Sequence, residues 1–355
     1  MKKVLFMYLN ARDHLLGVDY YRCVLPANAL NRNSRRYKCY TSNGLIGKEG
    51  EQPEEVWTRM FNTYDIIFTK HIDTDRSLAQ MMGARRFFKK SVVVDMDDDI
   101  LHVDKTSPIY RTYFPKSAKL HVAKKSIEWA DKVVCENEAL KGEMYKLNKN
   151  IDVFRNYVNK DFAEDVHDNI VREDSKDIRI LFSGGINHQQ DVGGVLLTIK
   201  QILDKYKNVK FVFFGEKHLY DFWELPDDRM EIVKVEPWFF DYAYRLPLLN
   251  IDIGIAPLAR TQFNRSKSPI KYFEYSMAGI PLIAQGYPPY SDVVKNGETG
   301  LLFQDNSELK EHLENLINNK KERIRLRENA YADVLENYDI DKHINKLEAI
   351  LDDIS

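Results

Sequence analysis

Twelve short apolar runs alternate with helix-patterned stretches along this chain, and the alternation happens twice. In the first half the runs are Val4 to Leu9, Tyr37 to Thr41, Asp65 to Thr69, Ser91 to Asp95, Lys132 to Cys135 and Asp152 to Phe154. In the second half they are Ile178 to Phe182, Val209 to Phe214, Met230 to Val233, Ile251 to Ala256, Pro281 to Ala284 and Gly300 to Phe303. They are short and rich in Val, Ile and Phe, as strands covered on both faces are. Helical patterns such as Gly193 to Tyr206 and Ser307 to Glu336 lie between them. Strands joined by crossover helices pair in parallel, so the pattern predicts an α/β chain of two doubly wound domains.

A length of 355 residues suits two domains better than one ordinary core. The polar stretch Lys160 to Asp177 has little periodicity and marks the expected boundary, giving domains over 1–165 and 166–338. Residues 339–355 carry Ile344, Leu347, Ile350 and Leu351 at helical spacing, which predicts a closing helix.

The net charge of -2 gives no global electrostatic case for nucleic acid. The first half is nevertheless locally basic, at Lys2-Lys3, Arg32 to Lys38, Arg85-Arg86, Lys89-Lys90 and Lys124-Lys125. Such runs read as solvated faces, or as a face for anionic lipid, an anionic acceptor or DNA. Cys23, Cys39 and Cys135 lack metal-ligand spacing and cannot all pair, which suits a reducing, cytoplasmic location. The opening ten residues read as a first buried strand, since their apolar run is short and lacks a small-residue cleavage site. No apolar run is long enough to be expected to span a bilayer.

The stretch from Phe263 to Leu302 holds the densest candidate chemistry. Pro269 suits the first turn of a helix, where its missing N–H costs nothing. A helix starting there puts Lys271 and Glu274 near one face, with Lys267 and Ser268 just ahead of it. That end carries partial positive charge and free N–H groups, which favour an anion. Gly279 and Pro281 end the helix, and Pro-Leu-Ile-Ala follows as a short buried strand. On residue types alone, the block is either an anion site or a Lys/Glu surface pair on an ordinary αβ unit.

This block resembles the nucleotide-sugar site of GT-B glycosyltransferases of the GT4-like group, glycosyl transferases group 1. Glu274, Gly279 and Pro281 match the family's Glu-x-x-x-x-Gly-x-Pro pattern. Asn296-Gly297-Glu298-Thr299-Gly300-Leu301-Leu302 matches its Asn/Asp-Gly-x-x-Gly-Leu-Leu turn and strand. The resemblance covers most of residues 178 to 350 clearly and the first half in layout. It implies two Rossmann-like domains facing a central cleft, with the final helix crossing back to the first domain. It also implies that Glu274 holds ribose hydroxyls and that the helix N-terminus faces the diphosphate. The implied co-substrate is a nucleotide diphosphate sugar such as a UDP-sugar, with no cofactor and no metal.

The chain departs from the family in two places. The loop Ser183-Gly184-Gly185-Ile186-Asn187-His188-Gln189-Gln190-Asp191 carries paired glycines, which let backbone approach a phosphate or simply make a tight turn. Relatives place an Arg just after the first Gly and a Lys several residues on; here stand Gly185 and Gln190-Asp191. The diphosphate is then expected to meet Lys267 and Lys271, with Arg260 or Arg265 as further candidates. Ser266 stands where the family's Glu-x7-Glu pattern has its first Glu, which leaves the donor sugar open.

In the first half, Val94-Asp95-Met96-Asp97-Asp98-Asp99-Ile100 follows a strand, where α/β folds place ligands. Crowded acids repel and raise one another's pKa values. Asp97, Asp98 and Asp99 read as loop caps, as an acceptor pocket binding hydroxyls and positioning a base, or as a metal site. Consecutive acids differ from a spaced ligand loop, however. His71, beyond the run Asp65 to Thr69, and His14, in the loop Asn10 to Gly17, are each functional strand-edge residues or surface caps. Tyr20 and Arg22 are expected on the acceptor side, Arg22 meeting an anionic acceptor or donor phosphate. Asn156, in Phe-Arg-Asn-Tyr-Val-Asn, resembles the Asn-Gly-Val-Asp step at the family's domain junction and joins that side.

Together these imply a hexosyl- or pentosyltransferase acting on a hydroxyl, with retention and without metal. Asp97, Asp98, Asp99, His71 and Lys267 are its catalytic candidates. Gly184, Gly185, Lys267, Ser268, Lys271, Glu274 and Arg260 are its donor-binding candidates. The acceptor is a glycan, a lipid-linked molecule or a small molecule, and peripheral membrane contact stays open. Two alternatives remain: a glycosyltransferase acting on a modified DNA base, and a degenerate GT-B binding or scaffold subunit. The missing Arg/Lys pair and first Glu motivate the second.

Overall fold

The structure, a computed structural model, describes residues 1–9, 15–44, 51–173, 175–185, 188–215, 225–235 and 238–354. His14, Ile186 and Asn187 lie outside the described residues.

Each of the twelve apolar runs forms a strand within two residues of its expected ends. The first six are β1 (Lys2–Tyr8), β2 (Tyr37–Asn43), β3 (Ile66–Lys70), β4 (Ser91–Met96), β5 (Lys132–Cys135) and β6 (Ile151–Val153). The second six are β7 (Ile178–Gly184), β8 (Val209–Gly215), β9 (Met230–Lys234), β10 (Ile253–Ala256), β11 (Leu282–Gln285) and β12 (Leu301–Phe303). They make two six-stranded parallel sheets, ordered β2-β1-β3-β4-β5-β6 and β12-β11-β10-β7-β8-β9. Strand order reverses beside β1 in one sheet and beside β7 in the other. Crevices open at the C-terminal strand ends of such switch points. These are two Rossmann-like domains.

Helices cover both faces of each sheet. On one face of the first, Leu78, Met81 and Ala84 of helix Asp75–Phe88 share a core with Leu120, Ala123 and Ile127 of helix Ala118–Trp129. On the other face, Leu30 and Phe6 pack with Ile344, Leu347 and Leu351 of the last helix, Ile340–Asp352. The last helix thus lies against the first sheet, and Arg36 pairs with Glu348 at 2.6 Å.

Three local readings differ from the sequence pattern. Lys160–Asp168 is a helix, because Asn159 caps it by accepting the Phe162 N–H at 3.0 Å and Ala163 and Val166 bury one narrow stripe. The long pattern from Ser307 to Glu336 breaks into Asn306–Asn318 and Lys320–Asn337, with Asn319 capping the second piece. Pro269 is the N-cap of helix Ile270–Met277 and stands just ahead of its first turn. Gly279 ends that helix region at φ +63°, a left-handed conformation that glycine adopts without strain.

Candidate functional site

A cavity of about 480 Å³ lies between the C-terminal strand ends of the two halves. Gly184, Gly185, Lys267, Ser268, Lys271 and Glu274 line it from the second half. Asp97, Asp98 and Asn156 line it from the first.

Glu274 is 9% exposed. The Tyr242 hydroxyl hydrogen-bonds its carboxylate and lies 2.9 Å from Ser183 Oγ. Tyr275 closes the array, accepting the Ser183 N–H at 3.1 Å. Burial pushes the Glu274 carboxyl above its usual range, with Lys271 and the Tyr242 hydrogen bond opposing. Burial pushes the Lys271 ammonium down, Glu274 opposes, and Lys267 adds to the depression.

His188 links this turn to Lys271. Its Nδ1 lies 2.8 Å from Asp191 Oδ2, and its Nε2 lies 3.3 Å from Lys271 Nζ. Burial, then Lys271 and Lys267, drive its pKa down to about 3, so the ring is neutral. A neutral ring with these partners donates from Nδ1 to Asp191 and accepts at Nε2 from Lys271. Asp191 is itself held by the Ala259 N–H at 2.8 Å and Asn264 Nδ2 at 2.9 Å. The carboxylate found where relatives carry Lys therefore acts through His188 on Lys271. A Cβ added at Gly184 would stand 2.9 Å from the His188 ring, whereas Gly185 opens on free space beside the cavity.

This arrangement predicts an acid-side stability loss. Between about pH 6.5 and about 3 the unfolded chain protonates His188 and the folded protein does not. The contribution is full above the unfolded value and is lost as pH falls through that window. His188→Gln is expected to flatten that part of the decline in a pH series of urea midpoints; an unchanged slope would contradict the assignment.

The segment 266–268 is tied to the first half. Asn137 Nδ2 donates to the carbonyls of Ser266 at 2.9 Å and Lys267 at 3.0 Å. Ser268 Oγ accepts from Asn156 Nδ2 at 2.9 Å and also hydrogen-bonds Glu136, so its hydroxyl is turned toward the first half. Lys267 Nζ lies 4.9 Å from the Phe263 ring centroid.

Arg22, expected to meet a ligand anion, is buried beneath this junction at 2% exposure and lies outside the cavity wall. Its Nε and Nη2 bind both oxygens of Asp95, at 2.9 and 2.5 Å. Its Nη1 reaches Glu136 at 2.9 Å, the Phe154 carbonyl at 2.7 Å and Asn156 Oδ1 at 3.0 Å. Burial still pushes the Glu136 carboxyl up to about 7, against the pull of Arg22.

Four other expected residues also stand off the cavity wall. Tyr20 stacks on Phe239 at 4.0 Å and joins the halves by packing. Arg260 is exposed and donates to Gln304 Oε1 at 2.5 Å. Asp99 is buried and holds His102 Nδ1 at 2.9 Å and the Leu101 N–H at 3.2 Å. His71 Nε2 lies 3.1 Å from the Tyr113 hydroxyl, and its Nδ1 lies 3.9 Å from Asp97. Burial lowers the His71 pKa while Asp97 raises it. The acidic run thus divides: Asp95 serves Arg22, Asp99 caps a loop, and Asp97 and Asp98 face the cavity. Burial pushes Asp98 above the usual carboxylate range; Lys267 opposes, and Asp97 and Asp99 reinforce it.

The second half, residues 164–333, matches the family model described as glycosyl transferases group 1. Over that span the chain is similar to the glycosyl transferases group 1 family. Anabaena HepE in complex with UDP-glucose superposes with a TM-score of 0.65 at 14% identity, covering 98% of this chain and 100% of that one. Sucrose-phosphate synthase from Thermosynechococcus elongatus gives 0.64 at 13%, covering 100% of both. A glycosyltransferase from Rickettsia africae gives 0.62 at 14%, covering 99% of this chain and 98% of that one. At such identities the likeness shows the fold, which is GT-B. A comparison with curated proteins finds no match.

Around the group 1 motif, the sequence does not single out His188 or Tyr242. The one available signal for Tyr242 is the aromatic run Trp238-Phe239-Phe240, followed by Tyr242 and Tyr244. Trp238, Phe239 and Val235 also line the cavity. Among the described residues, no group of three or more His, Cys, Asp or Glu is placed to hold a metal ion. Among them, no helix is long and apolar enough to cross a membrane.

Proposed function

We propose that this protein transfers a sugar from a nucleoside diphosphate sugar, in the first instance a UDP-sugar, to a hydroxyl acceptor. The carrying observation is one helix that presents buried Glu274 and half-buried Lys271 to an interdomain cavity, with Lys267 at its N-terminal approach. In this reading the Glu274 carboxylate accepts two ribose hydroxyls. Lys267, Lys271 and the first-turn N–H groups receive the diphosphate. As the glycosidic bond breaks, negative charge grows on the leaving phosphate oxygen. Preplaced cations in a partly dry cleft stabilise that charge more than the ground state. Asp97 and Asp98 face the donor side and orient the acceptor hydroxyl. The UDP-glucose complex of the HepE structure supports the donor class, and the group 1 resemblance supports retention.

Transfer is expected to persist in excess EDTA, because lysines and helix N–H groups supply the positive charge at the leaving group. Activity lost on chelation and restored by Mg²⁺ or Mn²⁺ would instead move Asp97 and Asp98 into a metal site. A panel of nucleotide sugars, read by release of the nucleoside diphosphate, tests the function itself. One donor is expected to turn over, with the product anomer set by NMR. No turnover of any donor would favour the scaffold reading.

A further inference from the structure

In two surface segments of the first domain, basic residues far outnumber acidic ones. Residues 75–90 hold five Lys or Arg against one acid, and residues 105–129 hold six against one, in a chain whose net charge is -2. The helices Asp75–Phe88 and Ala118–Trp129 bury their inner sides in one core on the same face of the first sheet, so their outer sides form one surface. Arg85 is neutralised by Asp131 and Lys119 by Asp73. Arg86, Lys89, Lys124 and Lys125 have no ion-pair partner among the described residues.

The same surface exposes apolar side chains. Phe87 is 75% exposed, Phe114 39% and Met82 38%, and the Arg86 guanidinium lies 5.6 Å from the Phe87 ring centroid. An aromatic ring left in water among unpaired cations fits neither a purely solvated face nor a duplex, whose outer layer is phosphate. It fits an interface with anionic headgroups above an apolar layer. The surface also reaches the cleft. Tyr113 and Lys119 both bind Asp73, at 3.0 and 2.9 Å, and Tyr113 touches His71 at the end of β3 beside Asp97.

We propose that this face docks the protein reversibly on an anionic lipid bilayer, headgroups meeting the cations while Phe87 and Met82 enter the interface. The docking stands apart from the transfer reaction, so either fails without the other.

Sedimentation of the full protein with lipid vesicles tests it. Binding is expected to vesicles of phosphatidylcholine mixed with phosphatidylglycerol, and not to phosphatidylcholine alone. It is expected to drop about tenfold or more as salt rises to about 0.5 M. The variant R86E/K89E/K124E/K125E is expected to lose about tenfold or more, and Phe87→Ser several-fold with every charge retained. Thermal unfolding and UDP binding, read alongside, show that each variant is folded. Equal binding to neutral and anionic vesicles would overturn the proposal. So would binding by either folded variant at the wild-type level, or retention of a duplex DNA fragment with no vesicle binding.

Discussion

Lys271→Ala is expected to lower kcat by roughly 10²–10³-fold while raising KM far less. The diphosphate gains charge as it leaves, so a cation placed beside it contributes most in the transition state. Lys271 is half-buried and aligned by the neutral ring of His188 at 3.3 Å, which keeps its ammonium from wandering toward Glu274 alone. Lys267→Ala is expected to act in the same direction and more weakly, since its Nζ rests near Phe263 and its charge is shared with Asp98. Steady-state kinetics with the active donor separate the two cases. Wild-type kcat in both single mutants would place the phosphate site elsewhere, with Arg265 next to examine.

Arg22→Met is expected to destabilise the protein by about 3–5 kcal/mol, the cost of leaving buried carboxylates without their cation. Asp95 and Glu136 both lose their cation, and both are almost completely buried. The pH dependence follows from the sign of the Glu136 shift. Its folded pKa is raised to about 7, so ionisation costs stability as pH rises from the ordinary carboxylate range through that value. Without Arg22 the cost grows, and the variant's deficit is expected to shrink when urea unfolding is repeated at about pH 5.5 instead of about pH 8. Donor affinity of the folded variant is expected to fall as well, because Asn156 and Glu136 then hold Ser268 less firmly. A deficit under about 1 kcal/mol, unchanged between the two pH values, would show that the network is not what holds this junction.

The fold was legible because strands buried on both faces are mostly apolar at successive positions, and such runs recur at crossover spacing along this chain. The helix start showed Lys267, Lys271 and Glu274 as neighbours, and the group 1 resemblance marked them as candidate site residues. Contacts across the fold were not. Arg22 meets acceptors 73, 114, 132 and 134 residues away, and nothing in Asp19-Tyr20-Tyr21-Arg22 names them. His188 and Asp191 are one turn apart and visible as a pair, but Lys271 lies 83 residues further on. The acidic run was opaque for a different reason. Its first member is still in β4 and points inward, while the rest follow a loop that turns each carboxylate to a different neighbour. Lys160–Asp168 hid as a loop because its buried stripe is only Ala163 and Val166, helped by the half-buried Phe162.

The claim at the centre of this account is that Glu274 holds the nucleoside of a diphosphate donor. Calorimetric titration of UDP into the wild type and into Glu274→Ala tests it most directly. Each charge-assisted hydrogen bond to a ribose hydroxyl is worth roughly 1.5–3 kcal/mol, so the variant is expected to bind more than about tenfold more weakly while unfolding as a single cooperative unit. A folded Glu274→Ala protein that binds UDP as tightly as the wild type would contradict the assignment.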